Sequence, residues 1–438
     1  MLLRRYTKAV SLHSEIKRFI CGFRHKSFAV AISEALDKLQ EQKMERQAQK
    51  EAEDESVKEA NRLKRTLKRK KWVDWHAQDA EDAANGIKRA PFDPADRIKR
   101  KKSAILLSYC GANYYGMQRN PGMQTIEEEL FKAMLKHNWI TEDSFKQVQI
   151  ASFQRAARTD KGVSAARQVC SIKLPDELDL VAFNKDLPET IRLFGVERVT
   201  KGFNAKEQCN ARTYTYTLPS IAFAGCNEQQ NQQDQATFRL TPALHEQICE
   251  TLKLYEGTKN FHNFTSKKNF LDPSAKRFIM SFTSSAPFHS PQGIEFVTLQ
   301  VKGQSFMLHQ IRKMVGLAIA IVRGNTTRIT LERALTEERL DLPMAPGLGL
   351  VLDTVHYERY NDRYGKDGIH KPLTWSVQEQ QVTQFIELHI YSNIYRTEAE
   401  QCNMLDWLST LHFHSYDTRR GDEEKKSNED GEEDDGEE

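Results

Sequence analysis

The stretch FQRAARTDKGVSAARQVCSIKL, residues 153–174, decides how this chain is read. Its second half, Arg167–Leu174, alternates and clusters apolar residues as a buried strand does. Its first half, ARTDKGVSA (157–165), carries one carboxylate, Asp160, between Thr159 and the Lys161–Gly162 pair. T-D-K-G suits a tight turn in which an aspartate bonds its neighbours' backbone. The same four residues suit an exposed catalytic loop opening onto a strand. The tetrapeptide alone does not separate the two.

Upstream, SAILLSY (103–109) is an apolar run ended by the turn-rich segment CGANYYGMQRNPGMQ. A helix is predicted over TIEEELFKAMLKH, with Thr125 and Glu128 at capping-box spacing and Ile126, Leu130, Ala133 and Met134 as its apolar stripe. Downstream strands are predicted at IRLFGVERV and RTYTYTLPS, where Tyr214 and Tyr216 share one face. After a polar insertion, NEQQNQQDQ (227–235), the pattern returns. ALHEQICETLKLYEG reads as a helix, IEFVTLQVKG as a strand, SFMLHQIRKMVGLAIAIVRG as a long helix and VLDTVHYERY as a closing strand. Strands and helices alternating in two halves predict an α/β (α+β) architecture around a mixed central sheet.

In the long helix, Leu308, Arg312, Val315 and Ile319 fall on one face, and Arg312 is its only polar member. A guanidinium in apolar surroundings needs a carboxylate or ordered hydrogen bonds, unless it sits at the helix edge and reaches water.

The 438 residues carry a net charge of +3 that hides an asymmetry. Residues 421–438 hold eleven acids and two lysines, so residues 1–420 carry +12. A body that basic suits a polyanionic partner, and equally a solvated basic surface. No run of 18 apolar residues occurs, which predicts no membrane helix. The seven cysteines show no CxxC pair or zinc-finger spacing, so neither a disulfide framework nor a metal is expected. There is no GxGxxG and no Walker loop, and no cofactor is expected.

The ends read differently. The first 33 residues hold seven Lys/Arg and one acid, with apolar residues at helical spacing, as a mitochondrial presequence does. Residues 44–102 are rich in charge and contain RLKRTLKRKK and RIKRKK, which suit nuclear import or RNA-contacting arms. The expected organisation is a targeting segment (1–43), a basic linker (44–102) and an N-terminal catalytic half (103–225). A Gln-rich insertion (226–237), a C-terminal catalytic half (238–370), an extension (371–415) and an acidic tail (416–438) follow. A start at Met44 discards the presequence and keeps both basic clusters, so mitochondrial and nuclear products are both expected.

Taken in order, these pieces resemble the TruA-type tRNA pseudouridine synthases, in particular their eukaryotic branch. The resemblance rests on YCGANYYGMQRNPGMQTIEEEL, FQRAARTDKGVSAARQVCSIKL, FNAKEQCNARTYTYTL, GQSFMLHQIRKMVGLAIAIVRG and APGLGLVLDTVHYERYN. The eukaryotic branch is further suggested by NFHNFTSKKNFLDPSAKRFI (260–279). It covers roughly Ser103–Ile369. It implies the pseudouridine synthase fold, with the active-site cleft between the two halves, and isomerisation of uridine to pseudouridine in tRNA and other structured RNA. Carried over by position, the catalytic aspartate falls on Asp160, its neighbouring arginine on Arg158, the base-stacking tyrosine on Tyr214 and the arginine pairing with the aspartate on Arg312. Lys161, Arg167, Lys267, Lys268, Lys276 and Arg277 are expected candidates for phosphate contact. A non-catalytic RNA-binding scaffold on the same fold is the alternative, and oligomeric state stays open.

Overall fold

The computed structural model describes residues 98–226, 232–266 and 268–418, which belong to one compact unit. The expected targeting segment, nearly all of the basic linker, part of the Gln-rich insertion, Lys267 and most of the acidic tail lie outside the described residues.

Ten strands form one sheet: β1 (Lys101–Tyr109), β2 (Gln154–Arg155), β3 (Ser164–Leu174), β4 (Ile191–Arg198), β5 (Ala211–Pro219), β6 (Gly257–Asn260), β7 (Lys276–Ser284), β8 (Phe288–His289), β9 (Glu295–Gly303) and β10 (Leu350–His356). Eight run in the order β4-β1-β3-β10-β5-β9-β7-β6, with β2 on β3 and β8 on β9. Every pairing is antiparallel except β3 with β10, which makes the sheet mixed as expected. Ala104–Leu107 of β1 are fully buried on both faces, which is why that run reads as continuous rather than alternating apolar sequence.

Two features of the order differ from expectation. VLDTVHYERY does not close the sheet at an edge; β10 is central, and the chain turns into the helix Glu358–Tyr364 directly after it. The halves also interleave, since β10 from the second half stands between β3 and β5 of the first, and β5 pairs with β9. Strand β6 ends on the first residue of the NFHNFTSKKNFLDPSAKRFI region and β7 begins near its end, and the weak alternation of both gave no strand signal.

The register positions the site. Leu352 of β10 is opposite Ala165 of β3 on one side and Tyr214 of β5 on the other. The strand that follows Asp160 is therefore two inter-strand spacings, roughly 10 Å, from the tyrosine strand.

Helix α1 (Ile126–Lys136) starts where expected, and Thr125 accepts from the Glu128 N–H at 3.3 Å. The reciprocal half of a capping box is missing, because the Glu128 carboxylate pairs with Arg119 instead. Helix α2 (Pro242–Lys253) is capped by Thr241 and begins with proline at its first position. Helix α3 (Gln310–Arg323) is shorter than its sequence pattern, because His309 adopts φ 62° and the helix cannot extend back through it. It ends at Gly324, whose φ of 84° lets its N–H reach the Ala320 and Ile321 carbonyls. Leu308 thus lies outside the helix and is 53% exposed, so the expected four-residue stripe keeps only Arg312, Val315 and Ile319.

The extension covers one face of the sheet through α4 (Glu379–Phe385), a π-helical turn (Ile386–Tyr391) and α5 (Ser392–Gln401). Phe385 meets Phe194 edge-on at 5.8 Å, and Tyr395 meets Phe296 at 5.0 Å. Because strand side chains alternate, Arg167 and Thr215 face this extension while Gln168 and Tyr214 face the opposite side.

Glu398 of α5 is 3% exposed and accepts from the Met404 N–H at 2.8 Å. Burial pushes its carboxyl from 4.5 up to about 7. A carboxyl raised in the folded state is no burden while both states are protonated, and stability is lost between about pH 4.5 and about 7, where the unfolded chain ionises this group and the folded one does not. We expect Glu398→Gln to be more stable than wild type at pH 8, by on the order of 2 kcal/mol and with a higher Tm, and to match it near pH 4.5. A thermal melt series across pH checks this, and an unchanged gap at both ends overturns it.

Candidate active site

The loop before β3 is held from several directions. The Tyr109 hydroxyl, at the end of β1, meets Thr159 Oγ1 at 2.8 Å. The Gln168 side chain clamps Ala157, accepting from its N–H at 3.3 Å and donating to its carbonyl at 2.8 Å. From β5, Arg212 donates to the Ala156 carbonyl at 3.1 and 2.7 Å and to the Gln304 carbonyl at 2.9 Å. The turn itself closes by backbone, with Val163 N–H donating to the Asp160 carbonyl at 3.1 Å. Gly162 takes φ 78° at its third position, as a type II turn requires. Gly111 must lack a side chain, because a Cβ there would stand 2.2 Å from the Val163 carbonyl oxygen.

None of this uses the Asp160 carboxylate, which accepts no hydrogen bond from the described residues. Its side chain is 31% exposed, and the one basic side chain within 4.0 Å of it among the described residues is His309, with Nε2 3.8 Å from Oδ2. The ordinary turn role, in which aspartate bonds its neighbours' backbone, is not the one Asp160 adopts. The turn is complete without it, and the carboxylate is left to the cleft.

That cleft has a volume of about 680 Å³, and Asp160 is the only carboxylate lining it among the described residues. Tyr214 lines it, 7% exposed, with Phe306 edge-on at 5.3 Å. Burial pushes the Tyr214 phenol up to about 12, opposed by Arg212 and reinforced by the charge of Asp160. Its hydroxyl is therefore protonated near neutral pH and available as a donor. Tyr216, on the same face, is spent structurally: its hydroxyl donates to the Pro346 carbonyl at 2.7 Å.

Arg312 is close to Asp160 but is not paired with it as expected. Its Nε donates to the Ala345 carbonyl at 2.7 Å, and its guanidinium lies against Gly347. No ion pair within 4.0 Å joins it to any carboxylate among the described residues. Burial lowers its pKa, and the fields of Tyr216 and Asp160 act in the other direction. The ordered bond that a buried guanidinium demands is thus a carbonyl from the APGLG segment, and Asp160 contributes at longer range.

The structure sorts the basic candidates. Arg158 is exposed and lines the cleft. Lys161 Nζ lies 4.5 Å over the Tyr115 ring. Arg167, expected to contact substrate, instead bonds Asp353 at 3.1 Å and Glu379 at 2.6 Å on the opposite face, so its role is to fasten the extension. Lys268 pairs with Asp272 at 2.6 Å, and Lys276 is exposed on β7. Arg277 lines the cleft, and its buried Nε lacks a hydrogen-bond partner. His309, Lys206 and Arg212 also line it and were not singled out from sequence. For His309 the deciding feature is a left-handed backbone before a helix, which no local residue pattern announces.

Among the described residues no cluster of His, Cys, Asp or Glu has the arrangement of a metal site, the cysteines are free, and no helix is long and apolar enough to cross a membrane.

The central strands of a mixed sheet thus bring one unengaged carboxylate, a buried tyrosine and a set of arginines to a single cleft, an arrangement that fits the resemblance to the pseudouridine synthases. Comparison with known proteins agrees. A sequence model described as tRNA pseudouridine synthase matches residues 251–358. The chain is 46% identical over 349 residues to the mouse pseudouridylate synthase 1 homolog, covering 78% of this chain and 81% of that protein. It is 49% identical over 317 residues to the human pseudouridylate synthase 1 homolog, covering 71% and 73%. To tRNA pseudouridine synthase 1 of Kluyveromyces lactis it is 32% identical over 386 residues, covering 71% and 70%. The chain belongs to the tRNA pseudouridine synthase family.

Proposed function

We propose that Asp160 initiates the isomerisation of a uridine in tRNA to pseudouridine. The observation that carries this is its carboxylate, unengaged in a turn that is complete without it and alone in a cleft lined by cations. The N-glycosidic bond breaks, uracil turns while bound, and C5 bonds to the same ribose carbon with loss of the C5 proton to solvent and gain of a proton at N1. The atoms balance without redox change or group donor. Attack at C1′, addition to C6 and abstraction of the 2′ proton all begin from one ionised carboxylate. A hydrolase would need a second carboxylate to direct water. The cleft lining offers none.

Tyr214 is the proposed platform for the extruded uracil, a stack worth ~1–3 kcal/mol. Arg312 places a positive charge in the cleft wall that also carries Asp160. Arg158, Lys161 and Arg277 are the proposed phosphate contacts. Other structured RNAs are proposed as further substrates, on the strength of the same basic cleft.

Tritium release from tRNA labelled at uridine C5, with pseudouridine identified in the digest, tests the reading. tRNA that binds without release or product formation moves the weight to a non-catalytic RNA-binding scaffold.

We also propose mitochondrial and nuclear products, supported by the acid-poor N-terminal segment and by Met44 ahead of two basic clusters. A tagged chain beginning at Met44 is expected in the nucleus. Strictly mitochondrial signal overturns the proposal.

A further inference from the structure

Asp160 stands between two chambers, and the reaction as read here uses one of them. The second, an open recess of about 450 Å³, shares Arg158, Thr159, Asp160, Leu308, His309 and Arg312 with the first. Its own walls are Tyr115, Gln118 and Lys161. That volume lies in the range of small-ligand sites, about 300–1,000 Å³.

Tyr115 is 52% exposed and Leu308 is 53% exposed. One exposed apolar side chain needs no explanation, but two lining one chamber beside the lone carboxylate do. Tyr115 is not loosely placed. The Tyr115 N–H donates to the Gln124 carbonyl at 2.9 Å, and its loop is tied to the catalytic loop on both sides. Met117 N–H donates to the Thr159 carbonyl at 3.1 Å, and Gly162 N–H to the Tyr114 carbonyl at 3.1 Å. Leu308 precedes His309, whose φ of 62° excludes it from α3 and so from the packing that helix would have given it. Tyr115 carries the Lys161 ammonium 4.5 Å over its ring, which makes an aromatic surface with a positive charge attached. Aromatic rings with adjoining cations are what single-stranded RNA is held by, through base stacking and phosphate attraction.

We propose that this second chamber binds the nucleotide adjacent to the target uridine, its base stacked on the face of Tyr115 opposite Lys161 and its phosphate held by Lys161 and Arg158. The inference rests on the assignment of Asp160 above. With the target ribose at Asp160 and its uracil in the Tyr214 chamber, the strand continues past Asp160, and the neighbouring nucleotide enters the chamber that shares that residue as a wall. Tyr115 then contributes to substrate choice without touching the reacting atoms.

The test is tritium-release kinetics on a labelled tRNA and on two versions with an abasic residue immediately 5′ or 3′ of the target. Wild-type release from the intact tRNA establishes the underlying reading, and its failure overturns both. We expect one of the two abasic versions to raise wild-type KM about tenfold with kcat little changed. Tyr115→Ala is expected to raise KM about tenfold on intact tRNA but by less than threefold more on that abasic version, because the same stack cannot be lost twice. Tyr115→Phe keeps the ring and stays within about twofold of wild type. Penalties that multiply at both positions overturn the proposal. So does an unchanged KM in a folded Tyr115→Ala protein.

Discussion

Asp160→Asn is expected to lose tritium release by about 10³-fold or more while still binding tRNA, because a residue that starts covalent or proton-transfer chemistry has no substitute. Asparagine nearly preserves shape, so the comparison isolates the charge. The fold should not notice the change. The turn closes through the Val163 N–H and the Asp160 carbonyl, and Gly162 donates to Tyr114, all by backbone. The carboxylate accepts no hydrogen bond from the described residues, so Tm is expected within about 2 °C of wild type. Full release by Asp160→Asn removes this residue from the mechanism and leaves the family assignment intact. A collapse of Tm instead means that the carboxylate holds the loop, contrary to the geometry.

The second large effect is expected at Arg312. Its Nε anchors on the Ala345 carbonyl at 2.7 Å, and its guanidinium is the half-buried cation felt by both Tyr216 and Asp160. Arg312→Met removes the charge and leaves the Ala345 carbonyl without this donor. We expect kcat to fall about 10²-fold, with a smaller change in KM, in line with losing one preorganised electrostatic contact. Arg312→Lys restores charge without the planar fork that reaches both the carbonyl and the cleft, so its rate should lie between the two. Equal kcat for lysine and methionine variants makes the role one of anchoring Ala345 rather than charge. An unchanged kcat in both removes Arg312 from the site.

Much of this was legible in residue order. β1, β3, β4, β5 and β9 lie within a few residues of their apolar patterns, α1 begins at its threonine cap, and α3 ends at the glycine its composition marks. Asp160, Tyr214 and Arg312 could be named because each lies in a segment that resembles a family pattern, and all three line one cleft. Arg167 could not be placed correctly. In a strand its two possible faces differ by one residue of register, and only the extension, bringing Glu379 to 2.6 Å, shows which face it takes.

By itself the sequence determined most of the local elements, the basic character of the body and three of the residues that meet at the cleft. The first two follow from periodicity, turn chemistry and charge, all properties of neighbours along the chain, and the third from the family resemblance of the segments that carry Asp160, Tyr214 and Arg312. Only the tertiary structure decided that β10 lies between β3 and β5, so that residues 160, 214 and 312 converge. It alone decided that Asp160 is left unbonded, that His309 rather than Arg312 stands 3.8 Å from its carboxylate, and that Tyr115 and Leu308 wall a second chamber. The physical reason is that strand order and side-chain engagement are set by contacts between segments far apart in the chain. Their energies depend on register and burial, which no local pattern encodes.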